Sequence, residues 1–132
     1  MIMYVSFPGG AAIDVHFKGH TVRTDQPVKA GGGDSAPAPF DLFLASIATC
    51  AGYYVAHFCE QRQIPTDGLG LTLEPIRDVE RRRVGTIRLE VRLPEGFPDK
   101  YRPAIVRAVD QCAVKRHILE PPGFEVVTSS PR

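Results

Sequence analysis

Three cysteines, Cys50, Cys59 and Cys112, are the residues in this 132-residue chain best suited to chemistry. A thiolate can act as nucleophile, redox centre or metal ligand. Their number is odd and no pair is spaced CxxC. The four histidines do not fall at metal-motif spacing. Neither a disulfide framework nor a zinc site is expected, and each cysteine is either a buried small hydrophobe or a reactive thiol. Cys50 stands among small residues, Ala45, Ala48, Ala51 and Gly52, with Tyr53 and Tyr54 one turn on. That setting fits a packed core cysteine first, and also a place where a helix or a substrate approaches closely. Cys112 has Lys115 and Arg116 at i+3 and i+4. A cation so close lowers a thiol pKa, although core packing fits Cys112 as well. Cys59 follows Cys50 by nine residues, about two and a half helical turns, so the two thiols face opposite sides and Cys59 reads as structural. His57 lies two turns after Cys50 on nearly the same face, as a proton shuttle or an interface residue. Tyr53 and Tyr54 read as core or pocket wall.

The elements that must position these groups can be read from periodicity. Residues 2–7, 11–17 and 21–24 are short β-rich runs; in the second, Ile13, Val15 and Phe17 alternate with Asp14 and His16. Residues 25–39, rich in Gly, Pro, Asp and Ser, form a loop. Phe40 to Gln63 reads as one long helix, apolar around most of its circumference for four turns, hence buried in the protein's centre or in a subunit interface. Leu69, Leu71 and Leu73 alternate with polar residues, as do Ile87, Leu89, Val91 and Leu93, which predicts an antiparallel hairpin with one wet face. The Arg81-Arg82-Arg83 run between them is solvated loop. A second helix is expected over about Asp99 to Leu119, with Asp99 as N-cap, and a last strand over Phe124 to Thr128. The order βββ-α-ββ-α-β predicts an α+β fold in a single domain spanning residues 1–132. So small a domain cannot easily cover the long helix, which points to a homodimer with a shared core.

Composition narrows the function classes. Sixteen basic and fifteen acidic residues nearly cancel, giving no electrostatic reason to expect nucleic acid or an anionic membrane as partner. No apolar run is expected to approach the roughly 18 residues that span a bilayer. The first 17 residues show neither a basic n-region nor a long apolar stretch. A cytoplasmic protein with reduced thiols is expected.

Two segments carry a family resemblance. Gly32-Gly33-Asp34-Ser35-Ala36-Pro37-Ala38-Pro39-Phe40-Asp41-Leu42, running on through an Ala-rich helix to Cys50, resembles the OsmC/Ohr family. So does Val109-Asp110-Gln111-Cys112-Ala113-Val114. The resemblance implies a thiol peroxidase on an OsmC-like fold, an intertwined dimer acting in oxidative-stress defence. It implies Cys50 as the thiolate that reduces an organic hydroperoxide and becomes a sulfenic acid. Cys112 would resolve it as a disulfide, and small or lipoyl thiols would reduce that disulfide without metal or organic cofactor. Two departures stand out. The family's activating glutamate falls at Phe40 here, and Asp41 matches the acid of an OsmC-like branch. Arg23, which is the one arginine before Cys50, is the candidate on the same chain for the family's activating arginine. The residue after the second cysteine is Ala113 rather than the usual proline.

Two rivals keep the scaffold and drop the chemistry. One is a non-catalytic dimer holding an apolar small molecule between its central helices. The other is an acyl-binding or thioesterase-like α+β dimer, which would also use a long buried helix and would not need paired cysteines.

Overall fold

The structure is a computed structural model that describes residues 1–131. It is α+β, with three helices and two antiparallel sheets. The chain divides into two compact units, residues 1–46 and 47–132.

The first unit opens with a meander of three strands, β1 (Tyr4–Gly9), β2 (Ala12–Phe17) and β3 (His20–Thr24). The turns are short because Gly10 and Gly19 adopt positive φ, a region closed to most side chains. Val15 sits opposite both Val5 and Val22, and Asp14 lies opposite Arg23. His16 joins the three strands: one ring nitrogen is 3.0 Å from the Ser6 hydroxyl and the other 2.9 Å from the Thr21 hydroxyl.

The Gly-rich segment after β3 is a loop, as its composition requires, and a tightly specified one. Asp25 is 4% exposed. Its carboxylate accepts from the Ser35 hydroxyl at 2.5 Å and from the backbone N–H groups of Gln26, Ser35 and Gly33 at 2.8, 3.1 and 3.2 Å. Four donors on one carboxylate stabilise its charged form, and the Ser35 hydroxyl contributes most; the pKa falls to about 2. Gly32 must be glycine for a separate reason: a Cβ there would lie 2.0 Å from the Gln26 carbonyl oxygen.

The long helix, α1 (Pro39–Gln61), starts one residue before its expected position and ends two before. Proline suits its first position, where the missing N–H has no intrahelical partner. The Asp41 carboxylate reaches back to the Ala38 N–H at 3.1 Å, the reciprocal half of a capping box. With 23 residues, α1 is long and apolar enough to cross a bilayer by length and composition, which corrects the expectation that no segment comes close. Its C-terminal half instead builds the core of the second unit, where Ala51, Val55, Phe58 and Cys59 are buried together with Phe97, Ile105, Ala108 and Val109. Not all of its apolar circumference is covered: Phe40, Phe43 and Tyr53 remain exposed.

The hairpin β4 (Gly70–Asp78) and β5 (Arg83–Arg92) covers this core. The alternation seen in sequence sets its faces: Leu71, Leu89 and Val91 pack against the core cluster, while Thr72, Arg88 and Glu90 are exposed. The hairpin carries the arginine run in its turn, and Arg81 there pairs loosely with Asp78 at 3.9 Å.

Two expectations fail in the last third. The helix expected over about Asp99 to Leu119 is three pieces: a 3-10 turn (Asp99–Tyr101), α2 (Arg102–Val109) and α3 (Ala113–Leu119). Tyr101 rather than Asp99 caps α2, and Asp99 accepts from Arg102 at 2.8 Å. After Val109 the hydrogen bonds tighten: the N–H groups of Asp110, Gln111 and Cys112 reach back three residues, to Arg107, Ala108 and Val109. Cys112 then leaves the helical basin (φ −56°, ψ 119°) and caps α3. The apolar stripe of Ile105, Ala108, Val109 and Cys112 runs out there, because its next positions are Lys115 and Arg116. The strand expected over Phe124 to Thr128 is absent: residues 121–131 hold neither helix nor strand. Phe124, Val126 and Val127 stand 92, 91 and 77% exposed. A strand needs a neighbour to take its backbone hydrogen bonds, and among the described residues this segment pairs with none.

Candidate active site

The break between α2 and α3 brings Cys112 against Cys50. Cys50 lies mid-way along α1, partly exposed, and Cys112 is 1% exposed. Sixty-two positions apart in sequence, the two thiols are close enough to shift each other's ionisation. Both are free thiols.

The surroundings divide the pair. Burial works against a thiolate at Cys50. It is outweighed by donation from the Cys112 thiol and from the backbone N–H groups of Val114 and Ala113, and the Cys50 pKa is lowered. Cys112 moves the other way. Burial pushes it up, and so does its role as donor to Cys50; the Cys50 charge adds repulsion, against N–H donation from Lys115 and Val114. Cys50 is thus the sulfur more readily ionised and Cys112 the one that keeps its proton.

This corrects one expectation. Lys115 and Arg116 were expected to lower the Cys112 pKa, which is raised instead. Lys115 touches the sulfur through its backbone N–H, 3.4 Å away, while its ammonium pairs with Asp110 across the break. No side-chain cation is among the groups that favour ionisation of Cys50. Unpaired N–H groups in the first turn of α3 favour it, partial charges fixed by the backbone. Sequence reasoning missed Ala113 and Val114 for that reason, since a backbone donor has no residue type. The available signal was the end of the apolar stripe at Cys112.

The remaining candidates have local partners. Arg23 is exposed on β3, opposite Asp14, and Asp41 caps α1, both in the first unit. Phe40 is 52% exposed. Cys59 is fully buried in the core, and burial raises its pKa despite the charge of Arg62. His57 stacks flat on Tyr53, with ring centroids 5.7 Å apart and planes within 6°. Neither ring contributes to the pKa shift of Cys50.

The model of the family described as OsmC-like protein matches residues 31–127, which hold both cysteines and the capped start of α1. The chain belongs to the OsmC-like family. Solved structures agree in fold. An osmotic-stress and detoxification response protein of Psychrobacter arcticus 273-4 superposes with a TM-score of 0.72 at 21% identity, over 86% of this chain and 85% of its own. An organic hydroperoxide resistance protein OsmC of Legionella pneumophila, also titled a redox protein, gives 0.56 at 18% identity, over 89% and 87%. An organic hydroperoxide resistance protein of Vibrio cholerae, with captopril bound in one of its active sites, gives 0.52 at 16% identity, over 89% and 84%. At these identities the likeness establishes the OsmC-like fold. No curated protein matches the chain.

Proposed function

We propose that this OsmC-like protein is a thiol-dependent peroxidase that reduces organic hydroperoxides, with Cys50 attacking and Cys112 resolving. The observation that carries the reading is the juxtaposition of Cys50 and Cys112, near enough to influence each other's ionisation, with Cys50 shifted down and Cys112 shifted up. Family membership and the names of its structural relatives point the same way.

The steps balance. The Cys50 thiolate attacks one oxygen of ROOH; an S–O bond forms, the O–O bond breaks, and RO⁻ leaves and is protonated to ROH. Cys50 is then a sulfenic acid and carries no charge. The repulsion that helped hold the proton on Cys112 is gone, and Cys112 ionises more easily than before. Its thiolate attacks the Cys50 sulfur, an S–S bond forms, and hydroxide leaves to become water. An external dithiol, a small or lipoyl thiol, returns both cysteines to the reduced state, which suits a reducing compartment such as the cytoplasm. No step requires a metal or organic cofactor.

A homodimer belongs to the same proposal. In the single chain Phe43 and Tyr53 leave part of α1 uncovered, and the exposed β-prone segment Phe124–Thr128 has no strand beside it. A second copy would cover the helix and offer that segment a sheet edge.

The test is consumption of cumene or tert-butyl hydroperoxide with a dithiol reductant. Wild type turns over. Cys50→Ser is inactive, and Cys112→Ser makes ROH once and stalls as a sulfenic acid that dimedone traps. Failure of wild type to consume either peroxide overturns the reading, as does loss of activity in Cys59→Ser with the fold intact.

A further inference from the structure

A cavity of about 200 Å³ opens between the second half of α1 and α2. Neither cysteine lines it, although Tyr54 is one turn beyond Cys50 and Gln111 precedes Cys112. Phe58, 6% exposed, forms an apolar wall, and Tyr54 and His57 add two more rings. Arg62 lines it from just past the end of α1 and Arg107 from α2; no carboxylate residue lines it. Among the described residues no ion pair engages either guanidinium. Arg62 is held in place: its guanidinium lies 3.7 Å from the Phe58 ring centroid and 5.5 Å from that of Tyr101, and Nη1 donates to the Phe58 carbonyl at 3.2 Å. A stacked guanidinium loses little further freedom when its remaining N–H groups bind an acceptor.

We propose that this cavity is a binding site for a small organic anion with a planar apolar body, of the aryl-carboxylate class. The two guanidiniums, together with the Gln111 amide, supply donors for a carboxylate, and the Tyr54 ring takes the body. The size agrees, since a cavity of about 150 Å³ holds one benzene ring. The site is distinct from the thiol pair and stands whether or not that pair reduces peroxide.

Benzoate is the probe, titrated into the reduced full-length protein and followed by NMR. Saturable shifts at the Arg62 and Arg107 side-chain N–H groups are expected. Arg107→Gln weakens binding about tenfold, the loss of one charge-assisted hydrogen bond, while Cys50→Ser leaves it unchanged. Neutral benzamide binds at least about tenfold more weakly than benzoate. This comparison uses wild type and holds even where an arginine variant fails to fold. Benzamide binding as tightly as benzoate overturns the proposal, as does inorganic phosphate binding as tightly. Absence of saturation, including occlusion of the cavity by a second copy of the chain, overturns it too.

Discussion

Replacing Cys112 tests how the Cys50 thiolate is made. Cys50 ionises below the ordinary thiol value of 9.0 although burial opposes it, because three donors converge on its sulfur: the Cys112 thiol, the Val114 N–H and the Ala113 N–H. Two of these belong to the backbone and survive mutation. The third is removed in Cys112→Ala and kept, as a hydroxyl, in Cys112→Ser. A hydrogen bond to a charged group is worth about 1.5–3 kcal/mol, and a thiol is a weak donor, so the lower end applies. Losing about 1.4 kcal/mol from the charged form cuts its population roughly tenfold wherever the protonated form dominates. The sign follows: a lowered pKa extends reactivity to lower pH, and loss of a donor moves the midpoint back toward 9.0 and slows reaction at neutral pH. The assay is the rate of Cys50 alkylation by iodoacetamide against pH, resolved by peptide mass spectrometry. Near neutral pH, Cys112→Ala is expected to react about tenfold more slowly than wild type, and Cys112→Ser within a few-fold of it. If Cys112→Ala alkylates as fast as wild type, the backbone alone holds the thiolate. If the serine variant is as slow as the alanine one, donation is not the cause.

Three further outcomes are expected. Asp25→Asn removes an acid-sensitive contribution to stability: the folded pKa is about 2 against 3.8 unfolded, so the contribution is full above 3.8 and is lost as pH falls toward 2. Acid titration of wild type and variant, followed by circular dichroism, should converge at the acid end and diverge above it. Gly32→Ala is expected to destabilise by about 2–4 kcal/mol in urea unfolding, because its Cβ meets the Gln26 backbone and the loop cannot yield without breaking the Asp25 hydrogen bonds. Cys59→Ser places a hydroxyl among apolar side chains and should cost about 1–3 kcal/mol, with the Cys50 alkylation rate unchanged; a changed rate would mean that Cys59 communicates with the pair.

The amino-acid sequence alone determines most of the scaffold. Period-two alternation at Leu71, Leu89 and Val91 depends only on which face of a strand meets water, and the hairpin follows it; β2, with the same pattern at Ile13, Val15 and Phe17, forms a strand but is half-buried on both faces. The Pro39 start of α1 and the opposite orientations of Cys50 and Cys59 are likewise helical arithmetic on local residues. Tertiary structure decided the rest. That Cys50 and Cys112 come close enough to shift each other's ionisation is a long-range fact, set by how α2 packs on α1 and where it stops. Two N–H groups that no side chain marks lower the Cys50 pKa, because the first turn of a helix leaves its donors free wherever the break happens to place them. The segment Phe124–Thr128 has the composition of a strand and forms none, since a strand is completed by its neighbour and this segment pairs with no other among the described residues.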